Sequence, residues 1–283
     1  MNPSGIQKIS YGEEFQMGPL RIRQSLPVQG LNSFGPFILL HHAVPTYYEA
    51  GTERPRLGPH PHRGFAPVSF VFEGGAYHRD SLGNEGYLEA GDVQWMTAGK
   101  GIIHSEGPSE TFLKKGGTLE LIQLWVNLPA KFKMTEPSYQ DIKSGEMPNV
   151  FDEKGIDLKI VSGEYNGRKG PAKTFTPMIT LFGKIEKGKK LFLNFPSDFE
   201  TGIYILKGEL EVFDNKIDRF HLITFHDNLI SIETLSECSL LILSGQPIKE
   251  PIVSHGPFVM NTHQEIHQAI VDYQEGKMGS LDY

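Results

Sequence analysis

Short apolar and β-branched runs recur along this chain, each cut off by glycine, proline or polar residues. They include PFILLHH (36–42), PVSFVFEG (67–74), DVQWMTAG (92–99), LELIQLWV (119–126), MITLFGKIE (178–186), TGIYILKGELEVF (201–213), FHLITF (220–225) and CSLLILSG (238–245). Many short strands with turn residues between them predict an all-β, mostly antiparallel fold, a sandwich or barrel. One segment has a different period. In NTHQEIHQAIVDYQEG (261–276), Thr262 and Glu265 have the spacing of a capping box. Ile266, Ala269, Ile270 and Tyr273 then form one helical stripe, and Gly276 is a suitable stop. The pattern predicts a short C-terminal helix docked on a β-domain, with His263 and His267 facing solvent.

Size and composition narrow the class. The 283 residues suffice for two domains of ordinary size, and 39% hydrophobic with 11% aromatic residues is enough for proper cores. Lys plus Arg is 27 against 34 for Asp plus Glu, a net charge of −7, and no long basic run offsets it. Direct nucleic-acid binding and an anionic membrane surface are therefore not expected. A single cysteine, Cys238, excludes an internal disulfide and cysteine-rich zinc modules, and its apolar setting suits a structural residue. The start, MNPSGIQKISYGEEF, has no apolar core of a signal peptide, and no stretch reaches the roughly 18 apolar residues of a spanning helix. A soluble protein of the cytoplasm is the expectation.

The chain also lies loosely on itself. SFVFEGGAYH (69–78) is similar to IYILKGELEV (203–212), with Gly74 over Gly208. The polar stretch 129–150 carries three prolines and marks a break, which gives domains 1–134 and 135–283.

Chemistry is concentrated in the first half. In GPHPHRGF (58–65), His60 and His62 flank a proline. Residues i and i+2 of an extended segment share a face, and Pro61 biases His60 toward that conformation. GDVQWMTAGKGIIHSEG (91–107) ends in a second i, i+2 dyad, His104 and Glu106. Adjacent strands lie about 4.7–4.9 Å apart, so two neighbours can aim all four groups into one cavity. Three imidazoles and a carboxylate suit one divalent transition-metal ion (Fe, Mn, Co, Ni, Cu or Zn), not an all-oxygen calcium or magnesium cage. On an octahedral ion two positions stay open for water or substrate and dioxygen.

Other features read as structural. His78, in YHRDSLGNEG, is expected to order a turn, and His41 and His42 are adjacent in a strand, so only one faces inward. His221, His226 and His255 lie in the second half without a dyad partner. GKIEKGKK (183–190) has Lys190 where a phosphate loop needs Ser or Thr, and it reads as a strand-to-strand turn. Overlaying the halves puts Asn194 and Pro196 on His60 and His62, so the second half is expected to hold no metal.

Together GPHPHRGF, HRDSLGNEG, GDVQWMTAGKGIIHSE and GPFVMNTHQEI resemble the pirin family of the cupin superfamily over most of the chain. The resemblance implies two tandem cupin-type barrels of double-stranded jelly-roll form, with end segments crossing to the opposite domain. It places the ligands on His60, His62, His104 and Glu106, with iron the first expectation for the metal. One position departs: HPHRGFAP stands where the family usually has HPHRGFET, so Ala66 replaces an acidic residue and Glu106 is left as the carboxylate. Some pirins are similar to quercetinases, which cleave a flavonol with O₂ and release carbon monoxide. Here Glu106 is the candidate catalytic base, and Phe65, Phe70 and Trp95 are candidate stacking partners for a flat substrate, with core packing the first expectation for any one of them. Other pirins resemble metal- or redox-sensing regulators that act through a protein partner, and both readings stay open. An open cavity beside the metal is the feature that would favour an enzyme.

Overall fold

The computed structural model describes residues 5–18, 20–53, 55 and 57–282. Strands dominate them, and the two α-helices among the described residues are Glu110–Lys115 and His263–Gln274. The apolar runs form the strands Phe37–Tyr48, Phe65–Glu73, Val93–Thr97, Gly117–Asn127, Met178–Ile185, His221–Phe225 and Cys238–Gly245. The run 201–213 divides at Gly208 into Glu200–Lys207 and Glu209–Val212. Gly74 and Gly208 both have positive φ, 82° and 90°. A Cβ at Gly74 would lie 2.6 Å from the Thr118 carbonyl, and one at Gly208 2.3 Å from that of Glu237. Only glycine fits corners of this kind, and each one carries the chain from a large sheet into a small one.

The chain groups into two compact units. One comprises Glu14–Ile22, Leu39–Ser144 and Ile248–Tyr283; the other comprises Met1–Glu13, Arg23–Ile38 and Gly145–Pro247. The end segments are thus exchanged between the halves, as the family resemblance implies. In the first half, Ser138–Ile142, Val93–Thr97, Phe65–Glu73, Gly117–Asn127, Phe37–Tyr48, Leu20–Leu26 and Glu13–Met17 form a seven-stranded sheet. The accompanying four-stranded sheet runs Leu57–His62, Ile102–Pro108, Gly75–Asp80, Glu85–Glu89. In the second half a six-stranded sheet begins with Ile6–Tyr11 and His221–Phe225, and its four-stranded partner runs Lys190–Asn194, Leu229–Thr234, Glu209–Val212, Asn215–Asp218. These are tandem cupin-type barrels with a C-terminal helix. Lys190 starts a strand after a turn, so 183–190 is no phosphate loop.

The C-terminal segment packs on the unit that holds the histidine dyads. Thr262 caps the helix by accepting from the Glu265 N–H at 3.2 Å, and the Glu265 carboxylate accepts from the Asn261 N–H at 3.1 Å. Ile266 and Ala269 are buried with Ile103, Phe258, Met260 and Met278. One position of the expected stripe differs: Tyr273 is 39% exposed, while its neighbour Asp272, outside the stripe, is 8% exposed. Asp272 turns inward because the Arg63 guanidinium meets it at 2.8 Å. His263 and His267 are exposed. No helix among the described residues is long and apolar enough to cross a membrane.

Candidate metal centre

Strands Leu57–His62 and Ile102–Pro108 are hydrogen-bonded neighbours, with His104 directly opposite His60 and Ile102 opposite His62. Partners in register share a face, so both dyads point into one barrel. Past His104 the register shifts, and Glu106 sits opposite Leu57. The extra residue falls in the Gly58-Pro59 stretch, where Pro59 has no N–H to give the ladder. On the other side of the same strand, Asp80 lies opposite His104 and His78 opposite Glu106. The inner face of the small sheet therefore carries three polar dyads side by side.

Among the described residues, His60, His62 and His104 bring one ligand atom each within 4.8 Å of the others. Their tautomers follow from what each Nδ1 meets. His60 Nδ1 is 2.8 Å from the Gly58 carbonyl and His62 Nδ1 3.4 Å from that of Pro257. Carbonyls only accept, so these nitrogens carry the protons and Nε2 keeps the lone pair. The Nε2 atoms of His62 and His104 are buried with no partner. A buried acceptor without a donor costs on the order of 1–3 kcal/mol, and a metal ion is the partner that neutral imidazoles suit. Burial, and then the neighbouring His60, push the His62 pKa well below the usual imidazole range, against the Pro257 carbonyl, which pulls it up. Burial and then His60, His62 and His78 do the same for His104. Both rings are held neutral, as ligation requires. By its donor set and its unsatisfied atoms, this cluster fits a transition-metal ion.

Glu106, further along the same strand as His104, lies outside that three-histidine group, and its Oε1 accepts from Gln123 Nε2 at 2.5 Å. The Gln123 amide is itself set by Trp125, whose Nε1–H donates to Gln123 Oε1 at 3.2 Å. This leaves Glu106 Oε2 for an ion or a proton. A cavity of about 30 Å³ adjoins the carboxylate; His41, Ser69, Gln94, Glu106 and Gln123 are among its polar lining residues, and His60, His62 and His104 do not line it. Burial pushes the His41 pKa down to about 4. His42 faces the other way and meets Glu120 at 3.0 Å.

Several neighbours of the site differ from expectation. Phe65 does pack on His62, with centroids 5.0 Å apart, but it also stacks on Trp125 at 4.1 Å. Trp125 lies 5.3 Å from His62. Trp95 and Phe70 pair with Val68 and Val93 and share the face opposite the cavity-lining Gln94 and Ser69, so neither reaches the histidines. Ala66 alternates with Phe65 onto that same far face. His78 is in a strand, not a turn, and is fully buried at 3.4 Å from His104. It is Asp80 that orders the turn, accepting from the N–H groups of Leu82 and Asn84 at 2.9 and 3.1 Å. Burial pushes the Asp80 carboxyl up, yet hydrogen bonds from His78, Asn84 and Leu82 outweigh it and hold the pKa below the usual value. In the second half, strand Lys190–Asn194 occupies the place of Leu57–His62, and its buried positions are Leu191 and Leu193. Asn194 is exposed, so the simple overlay on Asn194 and Pro196 is out of register. His255 lies in the unit that carries the site but is exposed.

An inward imidazole cluster in the first of two antiparallel barrels defines a two-barrel cupin with a candidate metal centre. The Pirin family model matches residues 19–126, and the model for the Pirin C-terminal cupin domain matches residues 181–279. A Pseudomonas aeruginosa protein provisionally named quercetin 2,3-dioxygenase is 38% identical over 90% of this chain and 93% of its own length. The structure of quercetin 2,3-dioxygenase from Acinetobacter baumannii is 37% identical, with a TM-score of 0.93 over 98% of this chain and 99% of that one. A bacterial pirin from Escherichia coli, solved in complex with nickel(II), shares the fold at 21% identity, with a TM-score of 0.67 over 85% of this chain and 100% of its own. The chain belongs to the pirin family.

Proposed function

We propose that this chain is a metal-dependent dioxygenase of the cytoplasm that opens the central ring of a flavonol with O₂ and releases carbon monoxide, as quercetin 2,3-dioxygenase does. The observation that carries the reading is the convergence of three imidazoles, two with orphaned buried Nε2 atoms, in the barrel whose cavity Glu106 lines. Similarity to the Acinetobacter baumannii structure supports it. His60, His62, His104 and Glu106 would hold one divalent ion, iron first, with Mn, Co, Ni or Cu as alternatives. That ion would acidify a flavonol hydroxyl and mediate electron flow to O₂, which a redox-inert Zn²⁺ cannot do by changing valence. Glu106 Oε2, when released from the ion, would take the hydroxyl proton, while Gln123 and Trp125 fix the carboxylate through Oε1. Ile22, Ala43, Leu119 and Leu121 are apolar residues of the cavity lining, against which a flat ring would lie once the cavity opens. In this reading the chemistry belongs to the first domain (1–134), and the second (135–283) is scaffold or partner surface.

One observation favours the second reading, a metal- or redox-sensing regulator that acts through a protein partner. At about 30 Å³ the cavity has room for roughly one water, whereas pockets for drug-sized ligands run to about 300–1,000 Å³. A flavonol can enter only if half-buried lining residues such as Met17, Leu20 and Leu57 move aside. The two readings separate in one assay: loss of flavonol absorbance with carbon monoxide in the headspace, with and without O₂. Each of Fe, Mn, Co, Ni and Cu is loaded in turn. The enzyme reading expects O₂-dependent turnover, with Glu106→Gln lowering it about 10²–10⁴-fold and lowering metal content far less, since an amide oxygen can still ligate. No consumption above the free-metal blank with any of the five ions would hand the site to the regulator reading.

A further inference from the structure

The three imidazoles can present Nε2 together only if each carries its proton on Nδ1. For His60 and His62 a backbone carbonyl secures this. His104 is different: its Nδ1 faces His78 Nδ1 at 3.4 Å, and a ring nitrogen donates or accepts according to its own proton. The far side of His78 decides the matter. His78 Nε2 lies 3.3 Å from Asp80 Oδ2, and neither side chain is exposed. The Asp80 oxygens already accept from the N–H groups of Leu82 and Asn84 and from Asn84 Nδ2, so the carboxylate has no proton to give. His78 therefore carries its proton on Nε2 and turns an Nδ1 lone pair toward Gln94 Nε2, at 3.0 Å, and His104. The ring is clamped as well. Tyr139 stacks on it at 4.9 Å and 17°, and Gly86 makes the room: a Cβ there would lie 1.7 Å from the Tyr139 hydroxyl.

We propose that Asp80 and His78 form a positioning relay that fixes the tautomer of His104, so that its Nε2 is available to the metal. The inference rests on reading His60, His62 and His104 as the metal centre. His78 touches neither ion nor substrate in this role; it acts through His104 alone. The relay makes one of three ligands conditional on a carboxylate two bonds' distance further out, while the other two depend only on the backbone.

The test reads imidazole tautomers in the metal-free full chain by long-range ¹H–¹⁵N correlation NMR, and Co²⁺ affinity by absorbance titration. His104 of the unsubstituted protein is expected as the Nδ1–H form. Asp80→Asn and His78→Leu should both populate the Nε2–H form and weaken Co²⁺ binding on the order of 10–100-fold. His78→Asn places an amide oxygen near the position of Nδ1, an acceptor that needs no carboxylate behind it. It should keep the Nδ1–H form, and Asp80→Asn combined with His78→Asn should recover what Asp80→Asn alone has lost. A merely structural role gives no such rescue. Unchanged tautomer and affinity in Asp80→Asn and His78→Leu overturn the relay, as does a double variant no better than Asp80→Asn. If Asp80→Asn fails to fold, the contrast between His78→Leu and His78→Asn decides alone. An unsubstituted protein that takes up no Co²⁺ overturns the metal centre instead, and the NMR comparison still judges the relay.

Discussion

The two small sheets of this molecule have the same strand order and opposite contents. In the first, the strand that carries His104 and Glu106 lies between the strand of His60 and His62 and that of His78 and Asp80. In the second, Leu229–Thr234 lies between Lys190–Asn194 and Glu209–Val212, with Leu193 opposite Ile230, Leu191 opposite Ile232, and Ile232 opposite Val212. Those aliphatic side chains join one core with Leu210, Ile217, Leu240 and Ile242. One barrel spends its inward positions on burying apolar area; the other gives them to imidazoles, of which His62 and His104 have Nε2 atoms with no protein partner. The topology is shared and the chemistry is not, so function here is a matter of which side chains fill an already defined inner face.

The largest effect that could break this comparison is in metal content. Mildly purified protein is expected to carry close to one equivalent of transition metal, and His60→Ala with His104→Ala should lose nearly all of it. His221→Ala and His226→Ala should lose none. Elemental analysis decides, and retention in the first pair or loss in the second removes the distinction between the barrels. The mirror experiment is Leu193→Ala. Leu193 is fully buried in the second core, so the variant should lose about 2–5 kcal/mol in denaturant unfolding while keeping its metal. Loss of metal along with stability would mean that the second barrel does more than support.

Much of this contrast could be read from the residues. Short apolar runs cut off by turn residues marked the strands, the Thr262 to Glu265 spacing marked the helix start, and two i, i+2 dyads on β-rich segments marked the site. The same rule also fits His78 and Asp80, but Ser81, Leu82, Gly83 and Asn84 follow at once, and their turn character hid the strand that ends at Asp80. The expectation that Trp95 lies near the site failed for another reason. Strand Phe65–Glu73 is buried on both faces up to Phe72, so alternation separates two sets of residues without saying which set looks at the cavity. Asp272 could not be placed at all from local pattern. It sits among apolar helix neighbours, and its partner Arg63 is 209 residues away.

A smaller effect follows from His41, which lines the cavity and has no counterpart in the aliphatic core. Its folded pKa, about 4, lies below the ordinary imidazole value, so between those values the unfolded chain binds more protons than the folded one. Stability is full above pH 6.5 and declines as pH falls toward 4, by about 3 kcal/mol if the whole shift is expressed. The buried His62 and His104 act in the same direction in metal-free protein. Urea unfolding of the metal-free chain at pH 7 and pH 4.5 measures the decline, and His41→Leu should shrink it. A profile that His41→Leu leaves unchanged would show that His41 carries no cost of burial.

The finest distinction concerns what the imidazoles cost when no metal is present. His62 is 3% exposed, packs against Phe65 and Trp125, and makes one long hydrogen bond to the Pro257 carbonyl at 3.4 Å. Its Nε2 is buried without a partner. Leucine at this position gives up the long bond, leaves the Pro257 carbonyl still accepting from the Arg63 N–H, and removes the orphaned atom. His62→Leu should therefore leave the metal-free chain as stable as before or more stable by about 1 kcal/mol, and it should abolish tight metal binding. The same substitution carried out on metal-loaded protein should destabilise it, because the ion's contribution is lost with the ligand. That reversal of sign between the two states, read from paired melts with and without metal, separates a side chain kept for ligation from one kept for packing. A His62→Leu variant that is markedly less stable in the metal-free state would place His62 with the second barrel's leucines, as a packing residue that happens to be an imidazole.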